Sequence, residues 1–154
     1  MKAIIIAMTF VCLAASATYA QKIGIDKVPA VVLSNFKKQF PTAVKPQWEM
    51  EEADFEVGFK NNGTEFSAKY DKQGIWLSTE QEIKNSELPS VVKQAVEKEF
   101  PKAEIEETEK VTYPNNKTDY ELEIEKDKKK LEVLFSSEGK LLKKEEIQKK
   151  ESKN

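Results

Sequence analysis

The chain has 154 residues, 25 basic against 27 acidic, for a net charge of −2 at pH 7; it contains no His and no Arg, and its one Cys is Cys12. Beyond the first 20 residues this leaves no nucleophile–base pair built on Cys or His, no zinc cluster, no thiolate or imidazole for haem, and no guanidinium to grip a phosphate. The near balance of charge argues against a nucleic-acid partner, which would require a clustered positive field.

Met1 and Lys2 supply a short positive region, residues 3–13 an apolar run, and SATYA at 16–20 a small-residue end. This pattern predicts a secretory signal peptide over residues 1–20, cleaved near Ala20, and a periplasmic or secreted product. The apolar run of about 11 residues is shorter than the ~18–20 that span a bilayer, so no stable membrane insertion is expected. Cys12 follows Thr9, Phe10 and Val11, without the small residues of a lipoprotein cleavage site. Loss of Lys2 makes the exported net charge −3, and the product must be held by its apolar core without disulfides.

Residues 21–27 read as a polar lead, an extended arm or frayed terminus. The chain is then organised by VPAVVLSNFKKQFPTA at 28–43, which recurs 60 residues later as LPSVVKQAVEKEFPKA at 88–103. Pro29 matches Pro89, Val31 and Val32 match Val91 and Val92, Phe36 matches Val96, and Phe40-Pro41 matches Phe100-Pro101, which is a tandem repeat. Each copy predicts an amphipathic helix with Pro in its first turn, an apolar stripe that includes Val31, and a Pro that stops it.

After each helix the apolar period falls from 3.6 to 2. The first copy predicts a strand at 45–50 around Trp48, a bend at Glu51, Glu52 and Ala53, strands DFEVGF and TEFSAKY joined by an Asn61-Asn62-Gly63 hairpin turn, and a turn at Gly74 before Ile75-Trp76-Leu77. The second predicts strands at 104–113, TDYELEIE, LEVLF and KLLKK, with five extra residues lengthening its first hairpin near Tyr113 and Pro114. The predicted fold class is α+β: two tandem repeats, each one helix packed on a four-stranded antiparallel sheet, at 21–84 and 85–148, with a charged tail at 149–154. The charged alternates, among them Glu56, Lys60, Glu65, Lys69, Glu121, Glu123, Lys130 and Glu132, fall on the other sheet face, where cross-strand Glu–Lys pairing accounts for them.

The repeated Val/Leu-Pro-x-x-Val-Val helix ending in Phe-Pro, followed by acidic-aromatic strands and a Gly turn, resembles the PepSY-like proteins of bacterial cell envelopes. That architecture is similar to the beta-lactamase inhibitor protein fold, with two tandem helix-plus-four-strand units over residues 28–147. The resemblance implies packing and carries no chemistry. Two acidic clusters, Glu49, Glu51, Glu52 and Asp54, and Glu104, Glu106, Glu107 and Glu109, lack the spaced loop of a calcium site and read as solvated edges. No cofactor, metal or catalytic set is expected. The function expected is that of an exported, non-enzymatic binding module contacting or inhibiting an envelope or extracellular protein through its sheet face or hairpin loops. Trp76 and Tyr113 are the partner-binding candidates, since a large aromatic with one polar group suits a contact surface. The alternative is a small ligand or cation held in the groove between the two repeats.

Overall fold

The computed structural model describes residues 21–51 and 53–147. The predicted leader and charged tail, and Glu52 of the predicted bend, lie outside the described residues. In chain order the elements are β1 (Gln21–Ile23), α1 (Ala30–Gln39), β2 (Val44–Glu51), β3 (Asp54–Asn61), β4 (Thr64–Tyr70), β5 (Trp76–Glu82), α2 (Ser90–Glu99), β6 (Glu104–Thr112), β7 (Thr118–Lys126), β8 (Lys129–Ser136) and β9 (Leu141–Ile147). A short 3-10 turn precedes each helix, at Ile25–Lys27 and Asn85–Glu87.

Both helices start directly after their Pro, at φ −55° in each case, where a missing N–H costs no intrahelical bond. Both end two residues before the second Pro, with the N–H of the next residue, Phe40 or Phe100, donating to the carbonyl of Phe36 or Val96. Val28, Val32 and Phe36 of the first copy are buried, as are Leu88, Val92, Val96 and Phe100 of the second. Val31 and Val91 leave the predicted stripe and stand 44% and 43% exposed. They lie at its flank, close above the turns at Gly74 and Gly139.

The strands form one nine-stranded antiparallel sheet in sequential order, where two four-stranded sheets were expected. Two features account for the difference. The polar lead is an edge strand, pairing Gln21 with Met50 and Ile23 with Trp48, and Ile23 packs against the first core. The fourth strand of the first unit does not stop at Leu77 but continues to Glu82, where it pairs with β6 from Thr79 opposite Thr112 to Glu82 opposite Glu109. That polar continuation, STEQE, carries no apolar alternation to announce a strand; its partner on each side holds it extended.

Register parity carries one side of the sheet from Ala68 through Thr79 and Thr112 to Tyr120, so both helices cover the same side. Beneath α1, Phe36 meets Trp48 and Phe59 edge-on at 5.4 and 5.1 Å. Beneath α2, Val92 and Phe100 pack on Leu122, Ile124, Val133 and Phe135. Fully burying one such side chain contributes about 1.5–3 kcal/mol, so each half holds its own helix through its own cluster. The hairpin at Asn62-Gly63 has both residues at positive φ, as does Asp127-Lys128, matching the twist of the strands they join.

The open concave face

With the helices on one side, the other side of the sheet is open, and the period of two sends a charged residue to it from nearly every strand. This side is curled. A single cavity of about 340 Å³ is lined by Glu56 of β3, Ser67 of β4, Glu80 of β5, Glu107 and Glu109 of β6, Glu121 and Glu123 of β7, Glu132 of β8 and Ile147 of β9.

Five directly opposed pairs on this face carry the same charge. Glu82 faces Glu109, Glu109 faces Glu121, Glu107 faces Glu123, Glu123 faces Glu132, and Glu132 faces Glu145. Like charges in that relation oppose pairing. The Glu–Lys pairing expected over the whole face is found at its flanks: Lys60 with Glu65 at 2.6 Å, Lys69 with Glu51 at 2.7 Å, Lys130 with Glu106 and Glu123, and Lys143 with Glu145 and Glu132 at 3.1 and 3.4 Å. Among the described residues no lysine forms an ion pair with Glu107, Glu109 or Glu121 at the centre. Glu80 accepts a hydrogen bond from the Ser67 hydroxyl at 2.8 Å.

The electrostatic result is a set of carboxyls that hold their protons unusually well. Burial, then the charges of Glu132, Glu80 and Glu109, pushes Glu121 up to about 8. Burial, then Glu80 and Glu107, pushes Glu109 up to about 7. Burial and a neighbouring carboxylate also raise Glu56, beside Glu80, and Glu107, beside Glu123. Glu107 and Glu109, read from sequence as a solvated edge, therefore sit in the middle of the sheet. The pairing of β5 with β6 puts them there, and that pairing is invisible in the local pattern. Glu80 and Glu82 were missed for the same reason. The available signal was the run of acids two residues apart in STEQE, EIEETE and ELEIE, on segments that become neighbours. Among the described residues no three acidic side chains are grouped so as to hold a metal ion.

Tyr113 directly follows β6, and its N–H bonds to the carbonyl of Lys117 across the lengthened hairpin. Burial and the adjacent Asp119 carboxylate hold its phenol up at about 12, and Glu80 and Glu121 lie near enough to add to that. It thus stands beside the acidic concavity. Lys117 sits 5.3 Å over the Tyr113 ring and pairs at 2.7 Å with Asp119, whose side chain is 1% exposed. Trp76 lies on the helix-covered side, opposite Tyr70, packed against the first core, with its indole N–H donating to Thr79 Oγ1 at 2.9 Å. Trp48 belongs to the first core. Trp76 and Tyr113 consequently do not share a surface. A second concavity of about 590 Å³ lies where the halves join, between Gly63-Thr64, residues 81–85 and residues 106–108.

This combination of a duplicated helix-and-hairpin pattern, one continuous sheet and an open curved face is that of a family. The chain matches the family described as "Putative beta-lactamase-inhibitor-like, PepSY-like" over residues 17–69 and 53–143. It belongs to that family. No curated protein matches the chain at a significant level. Among solved structures it is similar to one from Bacteroides eggerthii described among "putative periplasmic proteins", at 22% identity and TM-score 0.70 over 78% of this chain and 89% of that one. It is similar to a DUF2874 family protein from Bacteroides uniformis, at 23% identity and TM-score 0.69 over 77% and 88%. A BLIP-like protein from Bacteroides fragilis matches at 24% identity and TM-score 0.63 over 77% and 86%. These likenesses establish the α+β fold.

Proposed function

We propose that the chain is an exported, non-enzymatic binding module that contacts another envelope or extracellular protein through its open concave face. The observation that carries this reading is the central row of glutamates that, among the described residues, pair with no lysine and lie on the side of the sheet opposite both described helices. Such a row opposes folding, so a positively charged surface that neutralises it would gain both its own ion pairs and the relief of that repulsion. Tyr113 at the rim offers an aromatic contact to the same partner. Trp76, half-buried on the far side, offers a separate contact on the first repeat. The periplasmic description of a similar structure and the predicted leader both support a site of action outside the cytoplasm. We read α1 with β2–β5 and α2 with β6–β9 as copies of one unit, bounded at 21–84 and 85–148.

Capture of proteins from an envelope extract tests the reading. The parent chain is expected to retain a basic partner at low salt and to lose it when Glu107, Glu109 and Glu121 are changed to Gln. Retention that ignores those changes would place the contact elsewhere. The concavity at the junction of the halves favours the second reading, a small ligand or cation. There a thermal-shift screen should show a rise in melting temperature with a bound compound, by mass action on the folded state.

A further inference from the structure

The lengthened hairpin of the second repeat buries a carboxylate that the first repeat keeps in contact with solvent. Asp119 is the counterpart of Asp54 in the first copy, and each lies at the start of its strand. Asp54 is half-buried, whereas the side chain of Asp119 is 1% exposed. Val111 on β6 and Ser136 on β8, both buried, stand opposite it, and it shares the open side of the sheet with Glu121. Its Oδ2 accepts from Lys117 Nζ at 2.7 Å, while its Oδ1 is buried with no hydrogen-bond partner among the described residues. A buried charged acceptor left half-satisfied costs stability. The packing of helix on sheet does not demand it, since the first copy does without.

The surroundings are those of a cation site filled from within. Lys117 Nζ sits 5.3 Å over the Tyr113 ring while it pairs with Asp119, so one ammonium meets both an aromatic face and a buried carboxylate. The backbone of Lys117 is fixed on both sides: its carbonyl accepts from Tyr113 N–H at 3.1 Å, and its own N–H donates to Asn115 Oδ1 at 3.0 Å. Its side chain is 51% exposed and is the displaceable part. An ammonium is a point charge and here bonds one oxygen. A planar guanidinium bonds both oxygens of a carboxylate through parallel N–H groups and stacks flat on an aromatic ring. The chain has no Arg, so such a fork comes from another molecule. We propose that Asp119 and Tyr113 form a receptor for an arginine side chain of a partner protein, with Lys117 as its built-in stand-in. The incoming guanidinium displaces the ammonium, bonds both oxygens of Asp119 and stacks on Tyr113. This deepens the binding function proposed above by naming one anchor of the partner, and it rests on that reading only for the source of the arginine.

Amide and aromatic-ring spectra titrated with N-acetylargininamide, and with N-acetyl-lysinamide for comparison, read the site directly. In a Lys117→Met chain the arginine probe is expected to move the Tyr113 ring and Asp119 amide signals. It should bind about tenfold tighter than it binds the parent, and about tenfold tighter than the lysine probe, the worth of one recovered hydrogen bond to a buried charge. Adding Asp119→Asn should remove the difference between the probes. If the Lys117→Met chain does not fold, the parent carries the test at higher probe concentration, and the same two residues should move. Equal binding of the two probes, or arginine-induced shifts confined to Glu107, Glu109 and Glu121, would overturn the proposal. A chain in which those three glutamates are Gln should still bind the arginine probe at Tyr113, so this result and capture from an extract fail separately.

Discussion

Single carboxyls on the concave face set the protein's response to pH. Glu121 and Glu109 titrate near 8 and 7 in the fold against 4.5 for an ordinary glutamate. The folded state therefore binds more protons than the unfolded one between those limits. Stability from this source is present in full below about pH 4.5 and is lost as pH rises through 7 and 8. The melting temperature is expected to fall from pH 5 to pH 9, with the raised Glu56 and Glu107 reinforcing the effect, while the charges of Glu132 and Glu80 hold Glu121 up and that of Lys143 opposes them. Glu121→Gln should flatten that profile and stabilise the chain at pH 8.5 by on the order of 2 kcal/mol. That is well under the 1.36 kcal/mol per pK unit of an isolated group, because neighbours share the proton binding. A variant no more stable than the parent at pH 8.5 would mean that the carboxylates are better solvated than their positions imply. The charge of each residue was legible from the sequence, and so was its face within its own strand. Which glutamate opposes which was not: Glu82 meets Glu109 through the pairing of β5 with β6 across a helix and a turn, and the register of β6 on β7 shifts between Ile105 and Glu107.

At the scale of elements, the turns separate two causes of glycine dependence. Gly63 and Gly139 both have positive φ, at 86° and 80°. A Cβ at Gly63 would meet open space, whereas at Gly139 it would lie 2.9 Å from the carbonyl oxygen of Val91 on α2. Gly63→Ala should cost about 1 kcal/mol from backbone strain alone, and Gly139→Ala about 2–3 kcal/mol as strain and the helix contact combine. Denaturant titration of the two variants checks the order. The helices were legible to within a residue because Pro29, Pro41, Pro89 and Pro101 mark their ends by steric exclusion alone. The lead strand was not, because three residues, Gln21–Ile23, cannot display a period. Trp76 illustrates the intermediate case. A register shift after it places Trp76 beside Tyr70 but Ser78 beside Lys69, so no simple alternation through Ile75, Trp76 and Leu77 could have assigned its side.

The whole molecule joins two separately packed halves through one continuous sheet. The two buried clusters have no residue in common, and the strands between them meet in a seam where only four registered pairs link β5 to β6. Phe36→Ala, which removes the ring at the centre of the first cluster, should cost about 3–5 kcal/mol locally. Its hydrogen-exchange signature is faster exchange in β2, β3 and β4 with β7 and β8 still protected; uniform loss of protection would show a single cooperative unit instead. The same continuity is what makes the curved face, since seven successive strands contribute to one concavity that neither half could enclose. The central claim is that this face is kept acidic for a partner, at a cost to stability. It is tested most directly by comparing capture from an envelope extract by the parent, by the chain with Glu107, Glu109 and Glu121 all changed to Gln, and by a helix-side control with Lys37 and Lys38 changed to Glu. The account predicts that the Gln variant melts no lower than the parent yet loses the partner, while the control keeps it. A partner held equally by the parent and the Gln variant, but lost from the helix-side control, would contradict it.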